Sequence, residues 1–239
     1  MSSPSNLTGD EASLQLHFNE LSKQYDTLIR RAFPAYEEVF DALFLFINPK
    51  PKSPKILELG VGSGNLTLRA FEAFPDAHYT LLDLSDEMLA LSANKLKRQG
   101  IENYSLKQIG FMEADFAEGE FDLVLSSLAL HHLQDGEKQA LYGRVFKWLK
   151  PGGQFRCADG HLTLPGHVNH ETVWQARIVE LKALGVSDDE IQMWRSHEAQ
   201  YDHFASLSTH FEWLKAAGFQ QVDCYWKKLL LAVFGGQKP

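Results

Sequence analysis

Leu14, Phe18, Leu21, Tyr25 and Leu28 recur at three- and four-residue steps, the spacing of one apolar face on a helix. Thr8 and Glu11 stand where a capping box would open that helix, and residues 1–9 read as a disordered start. Pro34 suits the first turn of a second helix, with Val39, Phe40, Leu43, Phe44 and Ile47 inward. The prolines of the stretch Asn48 to Pro54 then stop any helix and mark a linker. From Lys55 onward short apolar runs alternate with helical stretches. The runs are Ile56 to Leu59, Tyr79 to Asp83, a short one ending in Glu113-Ala-Asp115-Phe116, Phe121 to Ser127, and one opened by the Pro-Gly turn of Leu149 to Phe155. Ser85 is a candidate cap for the helix after Asp83. Strands alternating with helices predict a parallel, doubly wound α/β sheet.

After Asp159 the pattern changes. Residues 161–204 are polar and rich in histidine, with one helix expected from near Asn169 to Leu184, ended by Gly185. Another is expected from Ser187, where Ser187 and Glu190 form a capping box. A helix over Leu207 to Ala217, stopped by Gly218, leads into strands Phe219 to Trp226 and Leu229 to Phe234, close enough to form a hairpin. The expected organisation is a helical cap over 1–50, an α/β domain over 51–160 and 205–239, and a helical lid inserted at 161–204.

The net charge of −8, without a basic block, argues against a nucleic-acid-binding surface. Cys157 and Cys224 make no disulfide framework and read as buried thiols. No charged-then-apolar leader and no apolar run of membrane-spanning length is present, so a cytoplasmic protein without membrane contact is expected.

The candidate chemistry centres on Ile56-Leu-Glu-Leu-Gly-Val-Gly-Ser-Gly-Asn-Leu, a strand, a glycine turn and a helix start. Glycines at 60, 62 and 64 let the backbone approach a ligand, and the helix end offers unpaired N–H groups. The spacing departs from the dinucleotide pattern G-x-G-x-x-G. Glu58 at the mouth would repel a pyrophosphate and suits an ammonium or hydroxyl group. Asp83 follows about twenty residues later at a strand end, where a ribose-binding carboxylate belongs. The glycine turn, Asp83, Asp115 and Ser127 all fall at strand carboxyl ends and converge on one crevice.

In order, spacing and identity these segments resemble the class I S-adenosylmethionine-dependent methyltransferases, over roughly residues 55–160 and again over the C-terminal hairpin. The resemblance implies a seven-stranded, mostly parallel Rossmann-like sheet with a C-terminal antiparallel hairpin, and S-adenosyl-L-methionine as cofactor. It implies that Gly60, Gly62 and Gly64, with Asn65, line the methionine part, and that Glu58 lies near its amino group. Asp83 would accept both ribose hydroxyls, and Leu84 and Met88 would flank the adenine. Asp115 would bond its exocyclic amine with Phe116 beside the ring, Ser127 and Leu128 would lie under the sulfonium, and Tyr25 would close the methionine end.

Methyl transfer from a sulfonium needs alignment and desolvation, and a general base is optional. His131, His132, Asp159 and His161 are the candidates for one, each equally readable as a packing or capping residue. His131 and His132 are adjacent and point differently, so one at most is expected to face the site. His161, His167 and His170 raise a metal site, but no cysteine and a single acid, Glu171, joins them, so no metal is expected. The stretches Tyr25 to Glu37 and Glu190 to Ser196 also resemble carboxy-S-adenosylmethionine synthases of tRNA uridine modification, in which an arginine matching Arg195 holds a carboxylated cofactor. The ordinary glycine turn and Ser127 depart from those enzymes. Arg31, Tyr36, Arg195 and Tyr201 are thus candidates for contacts to an acceptor or a carboxylate. A small-molecule acceptor is the first reading, the synthase the second, and a catalytically inert cofactor-binding protein the third. The aromatic cap and lid would suit an apolar or cationic acceptor, plain packing or a homodimer contact alike.

Overall fold

The computed structural model describes residues 9–47, 52–162 and 170–239. Three N-terminal helices, α1 (Gly9–Leu21), α2 (Tyr25–Ala32) and α3 (Tyr36–Phe44), precede an alternating unit. That unit runs β1 (Lys55–Leu59), α4 (Asn65–Ala73), β2 (His78–Asp83), α5 (Asp86–Arg98), β3 (Tyr104–Gln108), β4 (Phe121–Ser127), α6 (Asp135–Trp148) and β5 (Leu149–Gly160). Then come α7 (His170–Ala183), α8 (Asp188–Tyr201), α9 (Leu207–Ala217), β6 (Gln220–Lys228) and β7 (Leu231–Gln237). The strands form one sheet in the order β3-β2-β1-β4-β5-β7-β6, parallel except for β7, which runs antiparallel to β5 and β6. This is the mostly parallel seven-stranded sheet with a C-terminal hairpin that the resemblance implied.

The central strands β1 and β4 are mostly apolar and buried because helices cover both faces. On β1, Ile56 packs with α3, α4 and α5, whereas Leu57 and Leu59 pack with α6 and α9 on the opposite face. Each such fully buried aliphatic side chain contributes about 1.5–3 kcal/mol relative to an exposed one. The strand order reverses beside β1, between β2 and β4, which opens a crevice at their carboxyl ends. Helices α7 and α8 and the turn between them share a small core of Leu181, Val186 and Ile191. Among the described residues no helix is long and apolar enough to cross a membrane.

Several local expectations reappear. Ser85 caps α5 by accepting the Met88 N–H, the Ser187–Glu190 capping box opens α8, and Gly218 closes α9 in the left-handed region. Others are corrected. The expected first helix is two helices, because Ser22 bonds back to the Asn19 carbonyl and the chain turns at residues 22–24 before α2 begins. Strand β3 ends at Gln108, so Glu113 to Phe116 lies in a loop, where a turn on the Gly110 carbonyl takes the amides of Glu113 and Ala114. Strand β5 begins at Leu149 and carries Pro151 and Gly152 within it, tolerated by a register shift against β4. Cys157 is buried and Cys224 half-buried, and both are free. Thr8 of the first capping box, residues 48–51 of the linker, His167 and Asn169 lie outside the described residues.

Candidate functional site

A cavity of about 450 Å³ opens at the carboxyl ends of β1, β2 and β4, beneath α1 and α2. Its floor is the glycine turn. Gly60 has φ +78°, and a Cβ there would lie 2.4 Å from the Cβ of Ala129, so the turn passes too close to the β4 loop for any side chain. Gly62 has φ +51° and open space where a Cβ would stand. Gly64 caps α4 from below and does not line the cavity.

Asp83, at the end of β2, lines the opposite wall. Its Oδ2 accepts the Gly62 N–H at 2.7 Å and its Oδ1 accepts the Ser85 N–H at 2.9 Å. Burial pushes this carboxyl up to about 6, against the lowering effect of those amides. Glu58 is buried and accepts the Thr67 hydroxyl at 2.7 Å. Burial raises it to about 8, with the Asp83 charge adding to the effect. Each carboxylate therefore keeps lone pairs for further donors, and a ligand with hydroxyl or ammonium groups would supply them.

The N-terminal helices are fastened over this floor by polar contacts. Gln15 donates to the Leu84 carbonyl and Asn19 to Asp86, across the end of β2. Asp26 accepts from Ser63, from Asn65 at 3.0 Å and from Lys95 at 2.7 Å. Asn65 also donates to the Tyr36 hydroxyl at 3.0 Å, so α2, α3, the glycine turn and α5 meet at one polar knot. The pairing of Asp26 with Lys95 carried no signal in the sequence, since the two stand 69 residues apart.

The structure gathers Tyr25, Tyr36, Glu58, Gly60, Gly62, Asn65, Asp83, Leu84, Met88, Ser127, Leu128, His132 and Tyr201 around the cavity. Leu128 holds φ +51°, a strained conformation for leucine, pinned by its N–H on the Ala158 carbonyl at 2.8 Å. Asp115 and Phe116 do not reach the cavity, which corrects their expected placement. Asp115 is exposed, and Phe116 packs edge-on against Phe121 and Trp148. Ile109, Gly110 and Phe111, immediately after β3, stand in the cavity wall instead. Sequence reasoning missed them because the end of β3 was placed too late.

Of the adjacent histidines, His132 lines the cavity and His131 does not. His131 is held from behind by Asp159, whose carboxylate takes its Nδ1 and, at 3.0 Å, its backbone N–H. Burial lowers the His131 imidazole, but the charges of Asp159 and Asp202 outweigh it and leave it near 9. His161 is buried, bonds the Leu162 carbonyl through Nδ1, and stands away from the cavity. His170 pairs with Glu198 at 3.0 Å. Arg31 donates to Glu190 and the Gly185 carbonyl, tying α2 to the start of α8 and the turn before it. Arg195 makes a two-pronged pair with Glu171 at 3.0 and 2.7 Å on the lid. Neither arginine reaches the cavity, and among the described lining residues no lysine or arginine occurs, against five carboxylates: Asp10, Glu11, Glu58, Asp83 and Glu137.

Comparison with known proteins places the chain among methyltransferases. Residues 56–153 match the family described as a methyltransferase domain. A protein of Anoxybacillus flavithermus described as an uncharacterized methyltransferase is 30% identical over 173 residues, which span 72% of this chain and 76% of the relative. The demethylmenaquinone methyltransferase of Lactococcus lactis is 27% identical over 218 residues, 90% of this chain and 84% of the relative. Among solved structures, phosphoethanolamine N-methyltransferase 2 of Haemonchus contortus in complex with S-adenosyl-L-methionine superposes with a TM-score of 0.66 at 20% identity, covering 93% of this chain and 47% of that one.

Proposed function

The chain belongs to the class I S-adenosylmethionine-dependent methyltransferases, and from that premise we propose that it methylates an apolar or aromatic small molecule admitted beneath α1 and the lid. When bound, S-adenosylmethionine supplies a sulfonium methyl group. In this reading Asp83 takes the ribose hydroxyls, Glu58 and the glycine turn take the amino-acid end, and Ile109 and Phe111 flank the adenine with Leu84 and Met88. Ser127, Leu128 and His132 stand at the transfer side, with Phe18, Tyr201 and His203 toward the acceptor. The residues fit a cofactor of this kind: Asp83 keeps unpaired acceptor capacity, and Gly62 leaves open space at the turn. Helices α1–α3 act as a cap and α7–α8 as a lid over the sheet domain.

The observation that carries the proposal is the charge of the wall. Five acidic side chains, of which Glu58 is raised to about 8, and no lysine or arginine disfavour an added carboxylate on the cofactor or an anionic acceptor. The relatives' action on demethylmenaquinone agrees with an apolar ring as acceptor. Pairing of Arg195 with Glu171, away from the cavity, weighs against the carboxy-S-adenosylmethionine synthase reading.

Titration calorimetry with S-adenosylmethionine, S-adenosylhomocysteine and the carboxylated cofactor tests this. Binding of the ordinary cofactor that survives Arg195→Ala within about twofold supports the methyltransferase. A strong preference for the carboxylated form, lost in Arg195→Ala, would hand the site to the synthase reading. Product formation with a panel of quinols, phenols and amines then fixes the acceptor.

A further inference from the structure

Beside the cofactor cavity, four side chains from two segments converge on one point. His131 and His132 come from the 3-10 turn after β4, His197 from α8, and Asp202 from the end of α8. One ligand atom of each lies within 4.8 Å of those of the other three. Asp202 Oδ1 sits 3.6 Å from His131 Nε2, 3.3 Å from His132 Nδ1 and 3.5 Å from His197 Nε2. These separations are too long or misdirected for hydrogen bonds, and Asp202 Oδ1, though buried, forms none. They lie close to the edge of about 3.4 Å of a tetrahedron around an ion with ligand bonds of about 2.05 Å, and the imidazole nitrogens lie within 4.8 Å of one another.

The outer contacts fit the same purpose. His131 turns Nε2 inward because its Nδ1 is held by Asp159. His197 turns Nε2 inward because its Nδ1 meets His17 Nε2 at 3.0 Å. A carboxylate or a second polar group behind each imidazole is how metal-ligating histidines are fixed in tautomer and orientation. His132 Nδ1 would give up a long contact of 3.3 Å to the Tyr201 carbonyl. The four side chains are only 7–10% exposed.

We infer that His131, His132, His197 and Asp202 bind a divalent first-row transition-metal ion of the zinc type, which joins the β4 loop to the end of the lid helix. Three imidazoles and one carboxylate suit zinc, iron(II) or cobalt(II) and are too few in oxygen for calcium or magnesium. Four protein ligands describe a closed site. The ion would thereby fix His132 and Tyr201, which both line the cofactor cavity, relative to one another. The inference does not depend on the acceptor proposed above.

The test uses the full chain, stripped with a chelator and titrated with zinc and, separately, cobalt(II). One equivalent of zinc per chain, intense visible bands from tetrahedral cobalt(II) and a zinc-dependent rise in Tm are expected. His197→Ala and Asp202→Asn should each weaken zinc binding by about tenfold or more, while His170→Ala on the same lid leaves it unchanged. His197→Gln, checked by circular dichroism, replaces either variant that does not fold. Zinc binding by folded His197 and Asp202 variants as tight as the parent's, or cobalt(II) without tetrahedral bands, would overturn the site and leave the cluster an imidazole–carboxylate network.

Discussion

The carboxylate of Asp83 accepts the amide of Gly62 at 2.7 Å, so the strand-end acid and the glycine turn are held as one piece before any ligand arrives. A ribose diol binding there would find its acceptor already oriented. Removing the carboxylate therefore costs twice, once in ligand contacts and once in the position of the turn. Charge-assisted hydrogen bonds of this kind contribute about 1.5–3 kcal/mol each. Asp83→Asn should weaken S-adenosylmethionine binding by about 100-fold or more and Asp83→Ala should abolish it in calorimetry, with the far-UV spectrum of both variants unchanged.

Burial holds the Asp83 carboxyl near 6. Ribose hydroxyls donate to the ionised form, so binding below that value must first release a proton. Affinity is then full above about pH 6 and falls by up to about tenfold per unit as pH drops below it. Glu58 titrates near 8 in the same cavity and adds a separate inflection. Comparison of Kd from pH 5 to 9 for the parent and Asp83→Asn separates the two: the inflection near 6 should vanish in the variant, and the upper one should persist but move below 8, because the Asp83 charge no longer raises Glu58.

Gly60 and Gly62 share the left-handed conformation and differ in what a methyl group would meet. At Gly60 it would strike Ala129, so strain and overpacking combine in Gly60→Ala, a loss of about 2–5 kcal/mol in urea unfolding. At Gly62 it would meet open space. Gly62→Ala should cost about 1 kcal/mol of stability and yet impair cofactor binding, because the methyl group enters the cavity.

How much of this was legible in the sequence depended on distance along the chain. Strand, turn and helix of residues 56–68 are contiguous, so Gly60, Gly62, Glu58 and Asn65 were readable together, and Asp83 followed at a fixed spacing. Asp115 failed because the length of the loop after β3 is set by a turn on Gly110, which the apolar pattern does not encode. Arg195 looked available for an anion because its partner Glu171 stands 24 residues away on another helix. The histidines that gather are not the ones whose spacing suggested a metal. His131 and His132 meet His197 and Asp202 only because α8 packs back against the β4 loop.

The knot of Asp26 and Lys95 makes the last prediction. Burial pushes the Asp26 carboxyl up, but the donors Lys95, Ser63 and Asn65 outweigh it and hold the group below its ordinary value of 3.8. A group lowered in the folded state adds stability above its unfolded value and loses it as pH falls through the folded one. Asp26 is partly exposed, 42% at the side chain, so solvent screening reduces its contribution to about 1 kcal/mol. Asp26→Ala should therefore lower unfolding stability by about that amount at pH 7, and the difference from the parent should shrink as pH falls below the ordinary value of 3.8. Because Asp26 also orients Ser63 and Asn65 of the glycine turn, the same variant should weaken S-adenosylmethionine binding severalfold at pH 7. A stability loss that persists unchanged at low pH would mean that Asp26 acts by packing and not by charge.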